Sequence, residues 1–180
     1  MIWNHLDDIA IVSDAEVVIP DTMTLDAGGV GKGFSADLVV DHLIALGAQS
    51  VSVNLGGDAR VASAPSVRES WNFDIVSLDT SDTVSTISLI NGAIATSSID
   101  ARYRGGIGPK KHVFSVDNSE PHCHMCSVIA GQARWAEVWT KYVMLAPSPH
   151  AALAQNNLTA FIVDDNGSRY STESWKEFEL

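Results

Sequence analysis

The sequence predicts a mixed α+β fold, with a largely antiparallel sheet and about three helices. Short stretches of alternating apolar residues recur along the chain, separated by Gly, Pro, Asn and Asp turn signals. Two longer stretches carry apolar residues at helical spacing. The strands follow one another as hairpins, without the strand–helix alternation of a parallel sheet.

Residues 1–14 hold Trp3, Leu6, Ile9, Ile11 and Val12 without a clean period. Residues 15–19 are β-rich, and Pro20 ends them. Residues 25–37 are glycine-rich and lead into a helix for which Ser35 is the expected N-cap. Ala36, Val39, Val40, Leu43, Ile44 and Leu46 mark its expected buried face, with Gly47 as the C′ residue. Residues 50–55 (SVSVNL) alternate as a strand, Gly56-Gly57 turns the chain, and residues 58–62 return. Two more strands are expected at 72–78 and 84–90, joined by polar residues 79–82, and a short one at 93–97. A loop at 105–111, a strand at 112–116, a turn at 117–121 and a strand at 127–130 follow. Residues 134–146 read as a helix stopped by Pro147 and Pro149, with Trp135, Val138, Trp139, Tyr142, Val143 and Leu145 as its core face. A short helix at 149–156 precedes a hairpin of 158–163 and 169–172 around Asp164-Asp165-Asn166-Gly167. No repeat, low-complexity tract or linker interrupts residues 1–180, so one domain is expected.

The chain has 180 residues, 46% hydrophobic and 18% charged, enough to bury a sizeable core. A net charge of −11 argues against nucleic-acid binding, which needs a basic surface, while leaving room for a phosphate ligand at a local positive site. No apolar run approaches membrane-spanning length, and no basic segment followed by an apolar core opens the chain. A cytoplasmic protein is the expectation from the residues as given. Cys123 and Cys126, in the run His122-Cys123-His124-Met125-Cys126, invite a zinc reading, but no second ligand pair accompanies them. A loop running into a strand is the better reading. His5, His122, His124 and His150 are read as surface or loop residues, and Trp71 as core. Ser97-Ser98 lacks the G-x-S-x-G frame of a hydrolase nucleophile.

The stretch LDAGGVGKGFSAD (25–37) places four glycines in six positions around Lys32, just after Asp26. A glycine-rich turn at a helix N-terminus suits a phosphate, and it equally suits an ordinary strand-to-helix connection. A Walker A loop is excluded, because Gly33 follows Lys32 where Ser or Thr is needed and Asp26 stands at the first glycine. Gly31 to Ala36 fits G-x-G-x-x-A, with Asp58 downstream, yet no buried parallel strand precedes it and hairpins follow.

The longer pattern is more specific. LDAGGVGKGFSAD followed one helix later by VNLGGDAR (53–60) resembles the ApbE family of FAD:protein FMN transferases. Ala95-Thr96-Ser97, Tyr103, His112-Val113-Phe114 and Ala136-Glu137-Val138-Trp139-Thr140 resemble later family stretches in the same order. The resemblance runs from about residue 15 to residue 170. It implies a T-fold-like α+β architecture and FAD as substrate. It implies that Asp26, Gly28 and Lys32 contact FAD, Phe114 touches the flavin nucleotide, and His112 and Lys32 lie at the reacting phosphate. It also implies a magnesium ion held by the Gly29 carbonyl, Glu137 and Thr140, since magnesium takes oxygen ligands and substrate phosphates. The implied reaction passes FMN to a Thr or Ser of an acceptor flavoprotein and releases AMP.

The departures from the family pattern are specific. Ser115 to Ser119 stands where Asp-Pro-Arg-Thr-Gly is usual, Glu137 replaces an Asp, and Lys141 replaces a Thr. Lys141 is open to two readings, a plain ion pair with Glu137 or an ammonium that takes over part of the metal's role. Family members are longer, with an N-terminal part often behind an export or lipoprotein signal. A separate chain supplying that part is one expectation. Two alternatives stand beside transfer, a non-catalytic flavin-binding module without the metal site and hydrolysis of FAD to FMN and AMP.

Overall fold

The computed structural model describes residues 6–77, 80–99, 113 and 120–180. After a 3-10 turn at Leu6–Asp8, strands β1 (Ala10–Ser13) and β2 (Glu16–Val18) form an exposed hairpin. Helix α1 (Gly31–Ala45) leads to β3 (Ser50–Leu55) and β4 (Asp58–Ser63). Strands β5 (Trp71–Val76), β6 (Thr83–Leu89), β7 (Gly92–Ser98) and β8 (Met125–Ala130) come next. Helices α2 (Ala133–Leu145) and α3 (His150–Gln155), strands β9 (Thr159–Val163) and β10 (Arg169–Ser171), and a 3-10 turn at Glu173–Glu177 complete it. The main sheet has the order β10-β9-β8-β7-β4-β3 with every neighbouring pair antiparallel, and β5 pairs β6 in a separate ribbon.

The strand period of two sorts the side chains of this sheet onto two faces. Ala59, Val61, Ile94, Met125, Ile129, Phe161 and Val163 meet Ile75, Ile87 and Leu89 of the β5–β6 ribbon and Trp175 of the last 3-10 turn. Trp175 is fully buried, packs on Phe161, and donates its indole N–H to Ser85 Oγ at 3.1 Å. On the other face, Ala93 and Ala95 of β7 meet Ala36 of α1 and Ala133 and Ala136 of α2. Cys126, Val128, Ala160 and Ile162 lie under Val143 and Met144 of α2 and Leu153 of α3. Both faces are covered, so β9 is buried at every position and reads as a continuous apolar run.

Small residues at the α1–α2 contact let the two helices approach closely. A Cβ on Gly33 would stand 2.4 Å from the Ala133 carbonyl oxygen and 2.6 Å from the Arg134 amide nitrogen. One turn further along α1, the buried Asp37 carboxylate accepts the Ala133 N–H at 2.8 Å and the Arg134 N–H at 3.1 Å. It therefore caps α2 from a different helix, satisfying two amides that have no partner within their own first turn. Arg60 Nε at 3.5 Å and Arg134 Nε at 3.9 Å balance its charge.

Several expectations are corrected. Helix α1 begins at Gly31 with Val30 as N-cap, so Ser35 lies inside it and its hydroxyl donates to the Gly31 carbonyl at 2.8 Å. The second half of the glycine stretch is thus the first turn of the helix. Of the expected buried face of α1, only Ala36 and Val40 are buried, while Val39, Leu43, Ile44 and Leu46 are exposed. The α2 face is likewise rotated. Trp135, Val138 and Tyr142 are exposed, and Ala133, Ala136, Glu137, Thr140, Val143 and Met144 are buried. The close approach of α1 at Gly33 decides this orientation over side-chain polarity. The loop expected at 105–111 and most of the strand at 112–116 lie outside the described residues. Cys123 and Cys126 are free, buried thiols at the start of β8, as a loop entering a strand implies.

Gly33→Ala tests the helix contact. In an exposed helix interior this change stabilises by about 1 kcal/mol, whereas here it should cost about 2–3 kcal/mol through overpacking against backbone. Urea unfolding measures it, and a midpoint equal to or above that of the parent chain contradicts the contact.

Candidate functional site

The Asn54–Asp58 segment builds one wall of the site. Gly56 (φ +64°) and Gly57 (φ +100°) form a two-residue hairpin turn that non-glycine residues adopt reluctantly. The Asn54 side-chain oxygen accepts the Gly57 N–H at 2.9 Å and braces it. Asp58, the first residue of β4, is thereby held buried on the helix-facing side of the sheet.

Lys32, in the first turn of α1, reaches across to this wall. Its ammonium makes a short contact with Asp58 Oδ2 and lies 2.5 Å from Glu137 Oε1 of α2. Glu137 is fully buried, and its second oxygen, Oε2, accepts the Gly33 N–H at 2.8 Å. One carboxylate therefore holds the start of α1 by both charge and backbone, and one ammonium joins α1, α2 and β4. The Lys32 side chain keeps 40% of its surface exposed, so the charge it carries faces solvent as well as the core.

The surrounding charges set the protonation of this cluster. Burial alone lowers the Lys32 pKa, but its hydrogen bonds to Asp58 and Glu137 outweigh burial and hold it above its ordinary value. Burial pushes the Asp58 carboxyl upward, with Lys32 offsetting part of the effect. For Glu137, burial is outweighed by the Lys32 hydrogen bond, the Gly33 N–H and Lys141, which together hold it below its ordinary value. Lys141, one turn along α2 from Glu137, is lowered by burial despite the attraction of Glu137 and Asp58.

The glycine stretch is less a cradle of open amides than the sequence suggests. Gly28 N–H donates to Asp26 Oδ1 at 2.7 Å, the Val30 and Gly31 N–H groups both donate to the Ala27 carbonyl, and Gly33 N–H is taken by Glu137. Asp26 shapes its own turn, and a Cβ on Gly28 would stand 3.0 Å from its carboxylate. The positive group that this stretch presents is the Lys32 ammonium. Gly29 sits in open space. His112 and Phe114 lie outside the described residues.

Two of the residues expected to hold magnesium, Glu137 and Thr140, do not fit an ion in this arrangement. Both Glu137 oxygens are engaged, one by Gly33 N–H and one by Lys32, with Lys141 Nζ at 3.6 Å from the latter. The Thr140 hydroxyl is fully buried, donates to the Glu137 carbonyl at 2.8 Å and contacts Ser97 Oγ at 2.7 Å. Because its single proton goes to the carbonyl, Ser97 is the donor in that second bond. Thr140 thus ties α2 to β7 behind the site. Among the described residues, no group of three His, Cys, Asp or Glu side chains is disposed to hold a metal. A cation placed beside Lys32 and Lys141 also meets repulsion, about 4 kcal/mol for each pair of unit charges at 4 Å in a medium of effective dielectric 20.

Lys32 and Glu137, both expected at the site, are brought together. Asp58, which the sequence offered only as an acidic residue downstream of the G-x-G-x-x-A run, is a direct partner in the cluster; its place in VNLGGDAR was the available signal. Asp37 had no such signal, because its partners are the backbone amides of a helix about a hundred residues away.

The charge on Glu137 also stabilises the fold. Its folded pKa lies below the ordinary value of 4.5, so its stabilisation is complete above pH 4.5 and is lost as pH falls through the lower folded value. Glu137→Gln should cost about 3 kcal/mol near neutral pH by breaking a buried pair. The gap from the parent chain should narrow in acid. Urea unfolding at several pH values measures it, and a gap independent of pH contradicts the assignment.

The geometry can be set beside known proteins. The family model described as ApbE family matches residues 4–162. Among solved structures, the ApbE protein of Thermotoga maritima superposes with a TM-score of 0.80 at 21% identity, covering 97% of this chain and 60% of that one. The flavinyl transferase ApbE of Pseudomonas stutzeri gives 0.74 at 23% identity, with 95% and 58% covered. The flavin transferase ApbE of Vibrio cholerae gives 0.71 at 21%, with 97% and 59% covered. No curated protein matches. The chain thus spans about 60% of the length of these neighbours, and at such identities the superpositions establish the fold. The family model, by contrast, covers most of the chain, including Lys32, Asp58 and Glu137 alike, and on that ground the chain belongs to the ApbE family.

Proposed function

We infer that the site binds the pyrophosphate of FAD and supports transfer of the FMN moiety to a Thr or Ser hydroxyl of an acceptor flavoprotein. The observation that carries this reading is the Lys32 ammonium, fixed by Asp58 and Glu137 at the head of α1 in a chain of the ApbE family. A phosphate oxygen placed against it meets a cation whose position is already set, so little ordering is needed on binding. In the reaction, the acceptor oxygen bonds to the FMN phosphorus, the bond from that phosphorus to the bridging oxygen breaks, and AMP leaves with that oxygen. The acceptor proton passes to a base, a role for which the family resemblance offers His112. The Lys32 charge opposes the negative charge that gathers on the phosphate oxygens.

Incubation of the chain with FAD and an acceptor protein tests the reading through two readouts, AMP release and a covalent FMN mass increment on the acceptor. Both are expected, and Lys32→Ala should lower AMP release by about 100-fold or more. AMP without the increment indicates hydrolysis in place of transfer. No AMP under any cation condition overturns both enzymatic readings and leaves a binding module.

A further inference from the structure

Among the described residues, Lys141 is the cation of the cluster that makes no hydrogen bond. Its ion-pair partner among them is Glu137 Oε1 at 3.6 Å, beyond hydrogen-bonding reach, and that oxygen is already bonded to Lys32 at 2.5 Å. Three N–H donors thus stand on a side chain only 25% exposed, with a carboxylate near enough to attract the charge and too distant to satisfy it. The two ammoniums, Lys32 and Lys141, converge on a single oxygen and repel each other across it. The cluster is also neutral as it stands, with Lys32 and Lys141 balancing Asp58 and Glu137. An incoming anion finds two cations, whereas an incoming divalent cation finds both Glu137 oxygens already bonded.

We propose that Lys141 is a phosphate-binding group of this site and, with Lys32, does the charge neutralisation that a divalent metal would otherwise supply. A pyrophosphate oxygen taken between the two ammoniums completes the bonding of Lys141 and relieves their mutual repulsion. The ligand class is a nucleotide pyrophosphate, and its binding is independent of metal. This rests on the flavin-nucleotide reading above and adds a residue and a cation requirement to it.

Titration of FAD by quenching of its flavin fluorescence, with EDTA and then with millimolar magnesium, measures this directly. The parent chain should bind FAD with equal affinity in both conditions. Lys141→Ala should weaken FAD binding about tenfold or more while leaving the much weaker affinity for riboflavin, which has no phosphate, unchanged. Lys141→Arg should retain most of the FAD affinity, because the positive charge and donors are kept. Circular dichroism and thermal melting of each variant establish that it is folded. Two results overturn the proposal while leaving the FAD site standing: affinity in the parent chain that rises tenfold or more with magnesium, or a folded Lys141→Ala variant that binds FAD as the parent does. Absence of FAD binding by the folded parent chain overturns the proposal together with the functional reading.

Discussion

The Glu137 carboxylate is the constraint on which the rest of the arrangement depends. It sits with no solvent exposure between two helices and a sheet, an environment in which an isolated charge is untenable. Its two oxygens are satisfied from α1, one by the Gly33 amide and one by the Lys32 ammonium. That requirement brings the first turn of α1 against α2, and the absence of a side chain at Gly33 makes the approach possible. Asp37 completes the same contact from the next turn of α1, by capping α2. Structure and site are here one set of bonds.

A consequence is that the cation presented to solvent is rigid. Lysine is a flexible side chain, and an exposed one loses much rotamer freedom when it takes up a ligand. Lys32 is held by two carboxylates before any ligand arrives, with its stem close to the Gly56 turn. The cluster has no net charge, so its burial is tolerable, yet its two ammoniums stay partly exposed to solvent. Lys141 is the least satisfied of them. The departure of this chain from its family's pattern at position 141 therefore falls on the group that we propose as a phosphate ligand.

The hairpins and the position of the glycine stretch were legible because they depend on local signals. Gly56-Gly57 and Asn166-Gly167 turn the chain through backbone preferences that neighbours do not override. The helix faces were not legible. In α2 the reading placed Trp135, Val138 and Tyr142 inward, while the fold buries Glu137 and Thr140, whose side chains find partners on α1 and β7. Periodicity assigns polar residues to solvent, and a site with internal partners inverts that assignment. Ser35 failed as a cap for a related reason: the helix begins earlier, with Gly31, Lys32 and Gly33 in its first turn, held by Glu137 from outside the segment. Asp26 and Lys32 were both singled out, but tertiary contacts gave them different work, Asp26 on its own turn and Lys32 on the cluster.

The most direct test of the central claim is a double-mutant cycle between Lys32 and Glu137, measured as unfolding free energy for Lys32→Met, Glu137→Gln and the pair together. If one carboxylate and one ammonium join the helices as described, the effects are strongly non-additive, with a coupling of about 2 kcal/mol. Additivity within about 0.5 kcal/mol, the behaviour of independent sites, would contradict the account.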